Sequence, residues 1–368
     1  MRIAYLSDST LPSHKANSVH VAKMVSAMVE GGHDLTLYCY ASGAEAVGVG
    51  EYYDLRHEFS LFTYPETRFP GARRLLRMLA ARTLSMDKYD LIYARDLHAL
   101  VAAHSSQVPM CFEAHTPPQS AWARWALARL LRSPHFRRLV VISEALKQRF
   151  LQDYPWLDDE LVLVAHDGAD YVEANAATAT REIGGRIDAV QIGYVGSLYP
   201  GKGADVVRDL APVLPDVDFH VVGGTPSELD AFVVSKPPTN LYLHGQVPHA
   251  EVPGYLRRFD IALFPLQERV LLPSGVDIGP WTSPLKLFEF MAAGLPIIGS
   301  DLPIVREVLK NGQNALLVAA NDLTAWSSAV KRLRVDPTLR SRLGAAAQAD
   351  LVNQYTWERR AAMVLKGV

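Results

Sequence analysis

At 368 residues the chain is too long for one compact core and about right for two. Hydrophobic residues make up 49% and charged residues 21%, a globular balance that excludes a disordered chain, a collagen or a disulfide scaffold. The net charge of −2 gives no reason to expect a nucleic-acid partner. Cys39 and Cys111, the two cysteines, each sit in an apolar run and read as buried thiols with no metal-type spacing. Met1 leads straight into RIAYLSDS without a signal-peptide h-region, and no apolar run nears the ~20 residues of a membrane span. The expectation is a cytoplasmic protein, soluble or peripheral at the inner face of the cell membrane.

In chain order, RIAYLS predicts a strand and SVHVAKMVSAMVEGG an amphipathic helix closed by glycines. DLTLYCY, DLIYAR, MCFEAH and RRLVVIS continue as strands, and EALKQRFLQDY as a helix. This alternation implies βαβ units and a parallel sheet. Residues 171–188 are rich in Ala, Thr and Gly, lack periodicity, and read as a linker. A second series follows, with strands VQIGYVGS, DFHVVGG, LYLHGQV, IALFPL and PIIGS and helices over ADVVRDLAPVL, EVPGYLRRF, PLKLFEFMAAG and PIVREVLKNG. The fold class is α/β, with two Rossmann-like doubly wound domains facing a central cleft. The boundaries predicted are 1–170, a linker at 171–188, 189–345, and a C-terminal helix over 346–368 crossing back to the first domain. Ligands of such sheets sit beyond the carboxyl ends of the strands.

Three stretches of the second half could carry chemistry. In Ser283-Pro284-Leu285-Lys286-Leu287-Phe288-Glu289, Ser283 is suited to cap a helix and Pro284 to open it. The free amides of that helix start offer an anion site. Glu289 leans back toward it, where a carboxylate is useful if it accepts from a ribose diol. A Lys286–Glu289 pair at i, i+3 is the equally simple alternative. Gly196-Ser197 through Lys202-Gly203 runs from a strand through a glycine-rich turn, with Lys202 as a point charge for a phosphate. A plain βα turn fits it as well. Gly223-Gly224 leave room for a flat ring, and His244-Gly245-Gln246-Val247 follows the next strand, where backbone near Val247 can read a base edge.

Together, in this order and spacing, these motifs resemble the family 4 glycosyltransferases, nucleotide-sugar enzymes of the GT-B fold. The resemblance covers nearly the whole chain. It implies a retaining transferase that needs no cofactor and no metal, with a nucleotide-sugar donor as substrate, a UDP-sugar ahead of a GDP-sugar. It implies that Lys202 stabilises the leaving diphosphate, Glu289 binds the donor ribose, and amides around Ser283 to Leu285 hold the distal phosphate. Glu113-Ala114-His115 matches a position whose histidine faces the reacting sugar. The acceptor would be a glycan or lipid-linked sugar, in cell-surface polysaccharide or glycolipid synthesis. A nucleotide-sugar 2-epimerase, or a degenerate nucleotide-binding subunit, are the competing readings.

The chain departs from the family pattern in places. Trp281 stands where a first glutamate is frequent, with Asp277 or backbone amides as substitutes, and Ser197 where an arginine is usual. The first loop lacks a Gly-Gly pair, which leaves its phosphate contact to amides near Asn17 and Ser18. Asp216-Val217-Asp218 has the form of a metal motif from another fold but reads as a solvated turn. Residues 68–82 and 122–138 hold arginines and no acid, among them Arg73, Arg74, Arg77 and Arg124. They suit the acceptor side or an anionic membrane surface, or merely two solvated helices.

Overall fold

The computed structural model describes residues 1–42, 48–64, 72–83, 88–171, 182–232, 237–272 and 275–368. Most of the 171–188 stretch, and the side chain of Arg73, fall outside the described residues. The chain forms two compact units: Met1–Asp167 with Trp357–Val368, and Gly168–Thr356. The returning segment thus begins at Trp357, and residues 346–356 stay with the second unit.

The first unit holds a seven-stranded sheet of β1 (Arg2–Leu11), β2 (Asp34–Ala41), β3 (Ser60–Thr63), β4 (Leu91–Ala94), β5 (Met110–Ala114), β6 (Phe136–Val141) and β7 (Val162–Val164). Its order is β3-β2-β1-β4-β5-β6-β7, and every pairing is parallel. β4 and β5 are buried along their whole length, which is why they read as unbroken apolar runs. The helix Ala16–Glu30 is buried continuously from Ser18 to Met28 and packs on the returning helix Trp357–Leu365. A helix buried on all sides, its Ser18, His20, Lys23 and Ser26 included, needs cover on all sides.

The second unit holds β8 (Val190–Val195), β9 (Val217–Val222), β10 (Leu241–Gly245), β11 (Ile261–Phe264), β12 (Ile297–Ser300) and β13 (Ala315–Val318). They form a parallel sheet in the order β10-β9-β8-β11-β12-β13. Two core clusters cover its faces, one around Phe288, Phe290 and Met291, the other around Phe219, Trp326 and Leu333. Each such side chain contributes roughly 1.5–3 kcal/mol by leaving water. In each sheet the strand order reverses once, between β1 and β4 and between β8 and β11. The crevice at the carboxyl end of such a switch point is where open α/β sheets bind ligands.

Candidate functional site

In the first unit β5, the first helix, the returning helix and the loops after β4, β5 and β7 bring together a cluster of charge. Glu113, on β5, has a fully buried side chain. Its Oε1 lies 2.6 Å from His115 Nε2, 2.7 Å from His20 Nε2 and 3.2 Å from Arg360 Nη2, with Arg95 Nε 3.8 Å away. Its Oε2 accepts from the Tyr93 hydroxyl and from Arg360 Nη1. The His20 contact is short but bent out of hydrogen-bond alignment. His20 Nδ1 stands 2.9 Å from Asp167 Oδ1. Burial alone would raise the Glu113 carboxyl; Arg360, then His20 and His115, outweigh it and hold it well below the usual carboxylate range. Burial also pushes the Tyr93 phenol up.

His115 is the most open residue bonded directly to Glu113, with 25% of its side chain exposed. Burial, then Arg95, pushes its imidazole down to about 4, against the pull of Glu113. It is therefore neutral at pH 7. Its Nε2 donates to Glu113, which leaves Nδ1 as an acceptor. Among the described residues, His20, His115 and Asp167 bring one ligand-type atom each within 4.8 Å of one another. Sequence spacing gave no hint of that trio, because its members come from three separate segments. The carboxylates and the two guanidiniums beside it already balance its charge.

In the second unit the loop after β8 spans 196–203. Its Lys202 is half-buried, with Nζ 5.5 Å from the Tyr199 ring centre. Among the described residues no carboxylate pairs with it, and burial pushes its ammonium down to about 8. The loop is pinned against the segment that follows β11, the neighbour of β8. A Cβ on Gly203, whose φ is +82°, would stand 1.8 Å from the Pro265 carbonyl oxygen. That same segment leads to the helix Leu285–Ala292, whose first-turn amides lie beyond reach of its own carbonyls.

Glu289 sits in that helix with 13% of its side chain exposed. Lys286 Nζ donates to both its oxygens, at 3.0 and 2.8 Å, and His249 Nε2 lies 3.2 Å from Oε1. Burial would raise its carboxyl, but Lys286 and then His249 outweigh this and hold it at about 2. The Lys286–Glu289 pair expected as the simple alternative is present, and it is largely buried.

Several sequence expectations need correction. Ser283 does not cap the helix: the Pro284 backbone is itself extended, with ψ at 123°, so helical geometry begins only at Leu285, Pro284 holds the cap position without a side-chain bond, and Ser283 is buried ahead of it. Gly224, whose φ is +86°, admits no side chain, since a Cβ there would meet Leu198 Cδ1 at 2.5 Å. The Gly196 amide donates to Val222 O, and Ser197 O accepts from the Tyr194 hydroxyl. His244 Nε2 lies 3.1 Å from His220 Nδ1, Gly245 ends β10, and Val247 packs against the core. Asp277 accepts from the amides of Val270 and Gly279 and from Arg269, so it holds its own loop. Asp218 is no solvated turn: its buried carboxylate in β9 accepts from Arg186, while Asp216 pairs with Arg334.

In the first unit Asn17 is exposed, but Ser18 is fully buried. The Ser18 amide donates to Lys15 O and its hydroxyl to Thr10 O, so the loop itself uses both. Arg77 is no surface charge either. Only 11% exposed, it pairs with Asp96 at 3.2 Å and Asp8 at 3.6 Å. Arg74 stacks over Trp122, and Arg124 is exposed. Sequence reasoning missed His20, Asp167, Arg95, Arg360 and His249. The signal available for Arg360 and His20 was a charged or polar residue on an apolar helix face.

The family described as "Glycosyltransferase Family 4" matches residues 18–172, and "Glycosyl transferases group 1" matches residues 189–336. A phosphatidyl-myo-inositol mannosyltransferase of Mycobacterium leprae is 30% identical over 45% of this chain and 42% of its own length. A putative teichuronic acid biosynthesis glycosyltransferase of Bacillus subtilis is 28% identical over 41% of this chain and 37% of its own. The chain thus spans about two fifths of the length of these curated relatives. Among solved structures, Anabaena HepE in complex with UDP-glucose is 18% identical with a TM-score of 0.73, and covers 100% of both chains.

Proposed function

Because the chain belongs to the family 4 glycosyltransferases and has their GT-B fold of two Rossmann-like domains, we propose that it moves a sugar from a nucleotide diphosphate to a hydroxyl of a glycan or lipid-linked acceptor, with anomeric retention and without a metal. The observation that carries this reading is the switch point of the second unit. There Lys202, a half-buried cation with no carboxylate partner among the described residues, lies on a loop pinned beside the segment leading to the helix start at Leu285. A cation and free amides at a strand carboxyl edge suit a diphosphate.

In this reading the Lys202 ammonium and the amides at Leu285 and Lys286 neutralise the departing diphosphate. Glu289 exchanges Lys286 for a ribose hydroxyl. The acceptor hydroxyl attacks the anomeric carbon on the face the diphosphate leaves. The carbon–oxygen bond to the diphosphate breaks as the glycosidic bond forms, and a phosphate oxygen takes the acceptor's proton. His115 of the first unit, neutral with Nδ1 as an acceptor, is suited to take a hydrogen bond from a sugar hydroxyl. The relative whose structure holds UDP-glucose favours a UDP-sugar. The first unit would then receive the acceptor.

Calorimetric titration with UDP, GDP and ADP tests the reading, followed by a donor screen in excess EDTA. Binding of one nucleotide diphosphate, with hydrolysis or transfer that survives chelation, is expected. Isomerisation of the sugar without an acceptor would replace the reading with an epimerase. Absence of all nucleotide binding would replace it with a non-catalytic subunit, and activity lost in chelator and restored by magnesium would overturn metal independence.

A further inference from the structure

We propose that Arg360 is a positioning residue that fixes the charge and tautomer of His115 through Glu113. It bonds both oxygens of Glu113 and the carbonyls of Ala165 and His166. An ionised carboxylate accepts and cannot donate. Glu113 Oε1, 2.6 Å from His115 Nε2, therefore places the ring proton on that nitrogen. Two anions, Glu113 and Asp167, face two guanidiniums, Arg360 and Arg95. His20 lies between the two carboxylates, Nδ1 at 2.9 Å from Asp167 and Nε2 at 2.7 Å from Glu113, and the phenols of Tyr93 and Tyr5 complete the surround.

The balance has a consequence for His115. A compensated Glu113 stays ionised and accepts the His115 Nε2 proton without drawing a second proton onto the ring. Removing Arg360 leaves one guanidinium for two carboxylates, and His115, 2.6 Å from Glu113, can then supply charge. An imidazolium there donates from Nδ1, where the neutral ring accepts. A residue that takes a hydroxyl's hydrogen would become one that cannot. Arg360 comes from the returning helix, so a segment remote from the Glu113-Ala114-His115 run sets its chemistry. The consequence for turnover rests on His115 facing the sugar; the charge network does not.

The test is nuclear magnetic resonance of the full chain labelled at the histidine ring nitrogens, with His115→Asn assigning its signal. Native protein at neutral pH should show His115 as the neutral Nε2–H tautomer. In Arg360→Gln the His115 titration should move up by about one unit or more, the effect of losing one nearby positive charge. Arg360→Lys should restore most of the native value. A His115 that carries its proton on Nδ1, or on both nitrogens, in folded native protein overturns the proposal, as does an unmoved His115 in the folded variant. If Arg360→Gln does not fold, Arg360→Met, which keeps the packing of the stem, takes its place, and the native spectrum is the independent arm. Failure of UDP to bind would count against the transferase reading and leave these spectra as they are.

Discussion

Two glutamates show how differently the units use the same chemistry. Glu113 and Glu289 each hold a histidine and a cation. Glu113 is fully buried, and its partners arrive from the first helix, β4, the loop after β5 and the returning helix. Glu289 is partly exposed, and its lysine comes from its own turn. The first carboxylate is saturated and can only organise its neighbours. The second, in the reading proposed above, gives up its lysine to a ligand, and Lys202 of the same unit has no carboxylate partner among the described residues.

The sharpest way to break that contrast is to neutralise each glutamate in turn. Glu113→Gln leaves Arg360 and His20 buried with one anion fewer, and should cost about 3–5 kcal/mol of stability, the usual result of breaking a buried pair from one side. Glu289→Gln, where Lys286 is 25% exposed and can turn to water, should cost less, about 1–3 kcal/mol. Denaturant unfolding of both variants reads the difference, and equal costs would erase the distinction.

Lys202 is the complement of this argument. Lys202→Ala should lower kcat with the donor found in the screen by tens to thousands of fold, the range for one preorganised charge contact. Its melting temperature should stay near native. The cationic form binds the anion, and burial places its loss near pH 8, so nucleotide diphosphate affinity should fall as pH rises through about 8. Turnover unchanged in the variant, or affinity flat across that range, would remove Lys202 from the site.

Glu289→Gln should weaken nucleotide binding by about 1.5–3 kcal/mol, the worth of a hydrogen bond to a charged group. The variant also disturbs Lys286, so the cleaner arm uses native protein and a 2′-deoxy nucleotide. Equal binding of ribo and deoxy forms would return Glu289 to a simple pairing role with Lys286.

The fold was legible where apolar runs were long and bounded by turn residues, as in RIAYLS and VQIGYV. β3, β7 and β13 escaped because three or four residues carry no periodicity, and the sheet places them at its margins. The second unit's site was legible because its parts lie in short contiguous motifs. The first unit's was only half so. His115 could be read from its neighbours, but Arg360 reaches Glu113 across 247 positions. In the helix Trp357–Leu365 it shares the buried face of Trp357, Ala361 and Val364, and a charge on such a face was the clue to its partner.

The arginine runs draw the same contrast at the surface, where the expected effect is smallest. Arg77 already has acids, which takes it out of any membrane contact. Among the described residues the exposed arginines of the two runs include Arg74, Arg124, Arg129 and Arg132, beside Leu75, Leu79, Trp125 and Trp156, which are 57, 47, 58 and 43% exposed. Arg129 lies against Trp125 and Arg132 against Trp156. A basic side chain near an anionic surface is worth about 1 kcal/mol, so four acting together suffice for reversible attachment. Tryptophans beside them favour the interface. Sedimentation with liposomes should show binding only with anionic lipid, released by salt because the screening length is about 8 Å at physiological strength. Arg77→Gln should leave that binding unchanged, whereas Arg129→Gln with Arg132→Gln should weaken it. Equal, negligible binding to neutral and anionic vesicles would reject the membrane contact and favour a soluble acceptor.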